Sequence, residues 1–365
     1  MTSITHPSTS DRSNLREQRK MIQKSLKMHR RARDKEGEEK DWFRLGEIDL
    51  ERKRYEKARE SFRKCLKILK QIGEEGDVAA LLYILAKVDI EEEKYEAAKE
   101  LLKKSLAIYE KVGDRLCESL DWKMLASVDF SLERYGVARE ECQIALEIAQ
   151  QIGHKQLEAS IWCDIAKIEA IQGEYEEARE TLDTSLKIWK DVDGEDGEAE
   201  AWRDLGSIDQ KLGNAQSALA NLQKALEIKR EVGDKAGEAS ILSQIGTIYK
   251  DQDDYDAAVK SFQTGLEIAL DIEDVEGIGS IFCLIGAMVS KRGRVEEGLR
   301  LVALSVMILD PIGGQNFEIA ESWANGLASE LDYTQEQFDA MRQEVVKSYR
   351  RDQGKSLIDA AFRED

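Results

Sequence analysis

From Ala239 to Leu270 apolar and polar positions alternate on a helical beat. Leu242, Ile245, Gly246 and Tyr249 fall at i, i+3, i+4 and i+7, and Ala258, Phe262, Leu266 and Ala269 line one face of a second segment. The spacing predicts two amphipathic helices joined by a turn at Asp253 and Asp254. A shift of forty residues in either direction brings the pattern back. One apolar column runs Leu45, Leu85, Leu125, Ile165, Leu205, Ile245 and Ile285, beside a small column of Gly46, Ala86, Ala126, Ala166, Gly206, Gly246 and Gly286. A large residue precedes it in Trp42, Leu82, Trp122, Trp162, Trp202, Leu242 and Phe282, and the second helix has its own small column from Ala58 to Gly298. Small residues facing large ones at fixed spacing are what close helix packing needs.

Each unit ends in a turn marked by glycine, as at Gly73, Gly113, Gly153 and Gly233, where a helix terminus calls for positive φ. Only Pro7 and Pro311 limit the helices. One forty-residue unit buries too few apolar side chains to offset the cost of ordering its backbone, so the copies must stack to be stable. The chain then reads as a polar tail over residues 1–10, a basic helix over 11–35, seven helix pairs over 36–316, and divergent helices over 317–365. In the last part Trp323 and Leu327 slip by one residue, and Thr334 with Gln337 forms a capping-box pattern. The basic helix carries ten Lys or Arg against three acids, and its Ile22, Leu26 and Met28 stand forty residues before Phe62, Leu66 and Ile68. That register makes it the second half of an incomplete leading repeat and a cap for the array.

The spacing of Trp42, Leu45, Gly46, Tyr55 and Ala58, repeated down the columns from Glu36 to Gln315, resembles the tetratricopeptide repeat in its lengthened forty-residue form, as in kinesin light chains, spindle-orientation adaptors and bacterial signalling sensors. The resemblance implies an all-α fold, a right-handed solenoid of antiparallel helix pairs, whose concave groove of first helices holds a peptide or partner helix. Groove candidates are Phe43, Leu50, Tyr83, Lys87, Ile90, Lys123, Phe130, Lys167, Arg203, Lys211, Lys250 and Lys291. The mapped groove carries eight basic residues, Lys40 among them, against the acids Glu47, Glu51, Glu91, Glu200 and Asp251, a net of +3 with its apolar members in the first three repeats. An acidic, amphipathic segment would suit it. The asparagines and lysine clamp of known members have no counterpart here.

One departure from the family is chemical. Where a tyrosine is common this chain has Asp49, Asp89, Asp129, Glu169 and Asp209, and ten residues on stand Arg59, Lys99, Arg139 and Arg179, then Leu219. The expectation is a ladder of ion pairs inside the early repeats: Asp49 with Arg59, Asp89 with Lys99, Asp129 with Arg139, Glu169 with Arg179.

Composition narrows the function. A formal charge of −19 over 365 residues disfavours nucleic acid and anionic membranes, which leaves residues 11–35 as the one stretch suited to them. No apolar run reaches the length of a spanning helix, and Met1 to Ser10 holds no hydrophobic leader, so the expectation is a cytoplasmic protein. Five scattered cysteines without a C-x-x-C pair suit a reducing compartment, and three dispersed histidines build no metal site. No nucleophile and base, phosphate loop or carboxylate pair stands apart from the packing columns, and no cofactor is implied. The reading is a non-catalytic scaffold or adaptor for a protein or peptide partner; the alternative is a ligand-responsive regulatory sensor, and self-association through an end of the stack stays open.

Overall fold

The computed structural model describes residues 9–362, which are α-helical and divide into two compact units, residues up to Gly197 and from Glu198 onward. The first contains α1 (Thr9–Ala32), α2 (Lys35–Glu51), α3 (Tyr55–Ile72), α4 (Glu75–Glu91), α5 (Tyr95–Val112), α6 (Arg115–Ser131), α7 (Tyr135–Gln151), α8 (Lys155–Ile171) and α9 (Tyr175–Asp191). The second contains α10 (Glu195–Lys211, starting at the boundary), α11 (Ala215–Glu231), α12 (Lys235–Asp251), α13 (Tyr255–Asp271), α14 (Val275–Lys291), α15 (Val295–Leu309), α16 (Gln315–Glu330), α17 (Gln335–Asp352) and α18 (Lys355–Ala361). The expected tail over residues 1–8 lies outside the described residues. The basic helix stops at Ala32, not Lys35: Arg33 takes a left-handed φ of 57° and Asp34 caps α2 by accepting the Gly37 N–H at 3.0 Å.

Turn chemistry explains the punctuation. Between pairs the left-handed position is glycine at Gly73, Gly113, Gly153 and Gly233. Within pairs the equivalent position is Gly173, Gly213 or Gly293 in some repeats but Lys53, Glu93, Glu133 and Asp253 in others, which hold φ between 52° and 60°. Several first helices begin at a capping aspartate, as at Asp114, Asp234 and Asp274.

The columns are the core. Leu45, Leu85, Leu125, Leu205 and Ile285 are buried, and a Cβ added to Gly46 or Gly246 would run into the ring of Phe62 or Phe262. At the last pair Gly286 and Gly298 pass so closely that a Cβ on Gly286 would lie 2.8 Å from the Gly298 carbonyl oxygen. A further set of bonds joins the two helices within pairs: Ser105, Ser185 and Ser305 on second helices donate to the carbonyls of Ala79, Ala159 and Gly279 at 3.0, 2.8 and 2.6 Å, and Ser119 on α6 donates to Ala145 O on α7 at 2.8 Å. Three cysteines are buried and two half-buried, all as free thiols. In the divergent end Ala320, Ala324 and Leu327 are buried while the slipped Trp323 is 39% exposed. Thr334 and Gln337 form the capping box of α17, and α17 and α18 close over α15.

Candidate functional site

In the first unit Tyr83 on α4 lies beside Asp121 on α6, and Lys123 on α6 bonds Asp164 on α8 at 2.8 Å, so successive first helices share a face. Its apolar candidates are half-buried: Phe43 tilts onto Phe62 with ring centroids 5.8 Å apart, Phe130 meets Tyr135 edge-on at 5.5 Å, and Leu50, Tyr83 and Ile90 pack partly on the core beneath them. Lys87 and Lys167 are exposed on the same helices. In the second unit Arg203 bonds Glu200 and Asp204, Lys250 lies 3.3 Å from Asp251, and Lys211 and Lys291 are exposed.

These contacts correct the charge count. Lys123, Arg203 and Lys250 are neutralised by acids on their own or neighbouring first helices, two of which, Asp164 and Asp204, fall outside the groove positions. Added to the count, they reduce the excess from +3 to +1.

The ion-pair ladder exists, but between repeats and not within them. Asp49 receives Nε and Nη2 of Arg19 at 3.0 to 3.3 Å; Asp89 receives Arg59 at 3.1 and 2.6 Å; Asp129 is bonded by Lys99; Glu169 receives Arg139 at 3.1 Å. Each base lies thirty residues before its acid, on the second helix of the preceding repeat. Of the expected partners ten residues later, Arg59, Lys99 and Arg139 bond the next acid along. The carboxylates are 0 to 7% exposed, and Arg59 is 5% exposed. Arg59 also bonds Glu92, and Glu56 at 2.6 Å; burial alone would depress its guanidinium pKa, but Glu92 and Asp89 outweigh that and raise it. In the second unit Asp209 is held by Asn221 at 2.8 Å, while Tyr249 and Val289 pack into apolar clusters with Leu219 and Val259 respectively.

Two polar features escaped the sequence reading. A glutamate in the first turn of first helices, half-buried at Glu38 and buried at Glu158 and Glu238, bonds a lysine three residues earlier and a residue eight positions earlier on the preceding helix, as with Lys235 at 2.9 Å and Arg230 at 2.8 Å for Glu238. Burial pushes Glu238 upward, yet Lys235 and Arg230 outweigh it and leave it below the usual carboxylate range. The repeated E at that register was the available signal. The other is Asp121, fully buried in a column that holds Leu81, Ile161 and Ile241 in neighbouring repeats and one other aspartate, Asp41. Its counterpart Asp41 pairs with His29 at 2.8 Å, but Tyr109 occupies the place of that histidine two repeats on. Neither Asp121 oxygen has a hydrogen-bond partner. Burial lifts its pKa to about 7, and nearby Ser105, whose hydroxyl donates to Ala79 O, offsets only part. Among the described residues no group of three or more His, Cys, Asp or Glu could hold a metal ion, and no helix is long and apolar enough to cross a membrane.

Paired helices stacked through repeating columns define an α-solenoid, a class whose members present extended binding faces. The tetratricopeptide repeat family profile matches residues 38–111, 118–191, 157–230 and 197–271, well over half of the chain, and the chain belongs to that family. No curated protein matches it. Among solved structures, aspartyl phosphate phosphatase F from Bacillus subtilis superposes with a TM-score of 0.61 at 14% identity, covering 83% of this chain and 73% of that one. A Rap protein complexed with competence and sporulation factor gives 0.55 at 14% identity over 93% and 99%. A signal transduction ATPase with a tetratricopeptide repeat sensor from Pyrococcus horikoshii gives 0.59 at 13% identity; the match covers 94% of this chain and 54% of that one. At such identities the likeness is one of fold.

Proposed function

We propose that the chain is a non-catalytic scaffold of the cytoplasm that binds a protein or peptide segment along the first-helix face of its first unit. The observation that carries this is the row of half-buried Phe43, Tyr83 and Phe130 on α2, α4 and α6, with Lys87 exposed between them. Aromatic side chains anchored by their own core, with one face open, offer apolar contact at little cost in side-chain entropy. The solved Rap protein complexed with competence and sporulation factor supports the reading only as far as a chain of similar fold forms such a complex. With three lysine and arginine positions neutralised internally, apolar contact contributes more to recognition than charge. Lys87, exposed and without an ion pair among the described residues, keeps a preference for an acidic residue next to an apolar one.

A random-peptide display selection on the intact chain, repeated with Tyr83→Ala/Lys87→Glu after both proteins show equal helicity, tests this. Enrichment of sequences alternating apolar and acidic residues, lost in the variant, is the expected result. Equal enrichment on both proteins would place recognition elsewhere, and a ligand-induced change in compactness by small-angle scattering would favour the sensor.

A further inference from the structure

The first junction of the array reverses the charge pattern of the second. At the α3–α5 junction Arg59 bonds Asp89, Glu92 and Glu56, and Lys94 lies 3.2 and 3.4 Å from Glu92 and Glu56. Forty residues earlier the same positions read Arg19, Asp49, Arg52, Arg16 and Arg54, so both supporting glutamates have become arginines; Glu60 has likewise become Lys20, and Arg63 has become Gln23. Over these seven positions the first junction carries five cations and one carboxylate, a net of +4, whereas the second carries three cations and four carboxylates, a net of −1.

The structure gathers those side chains around one hollow. Arg16, Arg19, Lys20 and Gln23 of α1 and Arg52 and Arg54 of the α2–α3 turn line a cavity of about 480 Å³. Asp49 is occupied by Arg19 and is 3.9 Å from Arg54. Arg16, Lys20 and Arg52 make no ion pair among the described residues. Partial burial, then Arg54, Arg16 and Arg19, press the Arg52 pKa downward against the pull of Asp49, which is the signature of a cluster lacking its counter-charge.

We propose that this hollow is a binding site for a phosphoryl-bearing polyanion. Guanidinium forks match phosphoryl oxygens two at a time, and four cations beyond the Arg19–Asp49 pair call for more negative charge than one carboxylate supplies. The site is lined by α1 and the α2–α3 turn and shares no residue with the proposed first-helix face.

Inorganic pyrophosphate is the probe, titrated calorimetrically into the full chain. The variant is Arg16→Glu/Arg52→Glu, which writes the second junction's charge pattern into the first and so should raise thermal stability. Lys103→Glu/Lys187→Glu, with the same change in net charge on exposed helix positions, is the control. Binding that weakens steeply between about 50 and 200 mM salt, falls about thirtyfold or more in the first variant and is kept in the control is expected. No heat with the natural chain at low salt, or an equal loss in both variants, would overturn the site. Sedimentation with phosphatidylcholine vesicles, with and without phosphatidylinositol bisphosphate, then separates the two sources of the phosphoryl group: capture only by the phosphoinositide vesicles marks a lipid headgroup, and no capture beside tight pyrophosphate binding marks a soluble phosphate.

Discussion

Replacing Arg59 with methionine removes the most heavily bonded residue of the ladder and leaves a packed apolar stem behind. Arg59 is 5% exposed and contacts three carboxylates: Asp89 with Nε at 3.1 Å and Nη2 at 2.6 Å, Glu56 at 2.6 Å, and Glu92. Asp89 is 7% exposed, so without Arg59 it is a buried charge with no close cation. Removing one partner of such a pair costs about 3 to 5 kcal/mol, against 0.2 to 1 for an exposed pair. Asp89→Asn costs less, about 1.5 to 3 kcal/mol, because Arg59 keeps Glu92 and Glu56.

The decisive quantity is the coupling. A double-mutant cycle over Arg59 and Asp89 should return about 1 to 3 kcal/mol, whereas one over Lys99 and Asp89 should be additive within about 0.5, because Lys99 bonds Asp129. Guanidinium denaturation followed by circular dichroism supplies the energies. Native-state hydrogen exchange shows where the array opens, since a repeat protein need not unfold in one step. In Arg59→Met, protection should drop at the α3–α4 interface. Coupling between Asp89 and Lys99 with none between Asp89 and Arg59 would refute the inter-repeat assignment.

Three other outcomes follow from single sites. Asp121 titrates near 7 in the folded chain and near 3.8 when unfolded, so the folded state binds the extra proton between those values; stability should fall by about 4 kcal/mol as pH rises through that window, and Asp121→Leu should flatten the curve in denaturation at pH 5 and 8. Gly286→Ala drives a methyl toward the Gly298 carbonyl oxygen and should destabilise by about 1 to 3 kcal/mol, whereas Gly326→Ala, in α16 with nothing within 4 Å, should stabilise by up to about 1 kcal/mol in the same assay. Cys142, whose thiol pKa burial pushes up to about 12, should react with a maleimide at neutral pH only as fast as the chain opens, a rate read by mass spectrometry.

The helices and their core were legible because both obey the 3.6-residue beat: Leu45, Gly46 and Ala58 announce their faces by spacing alone, and the turn glycines mark the ends. The charge state of the first-helix face was not. Lys123 reads as a free cation until α6 and α8 are set side by side and Asp164 arrives 2.8 Å away. Asp121 was hidden for the opposite reason, since one acid among many attracts no notice until it proves buried without the histidine partner that its counterpart Asp41 has.

The ladder shows why a repeat sequence misleads about partners even when it identifies the interacting residues. With a period of forty, a base ten residues after an acid and a base thirty residues before the next one occupy the same column, so spacing cannot tell a contact inside a repeat from one between repeats. A base with no acid ten residues before it breaks the degeneracy. Arg19 stands forty residues before Arg59, and the position ten residues before it is Thr9, so a within-repeat ladder leaves it without an acid. The between-repeat ladder gives it Asp49, the acid at 3.0 Å in the structure. The basic helix is therefore the first half of the first rung, and its extra arginines, Arg16 among them, are a departure from the repeat that the packing of α1 on α2 does not require.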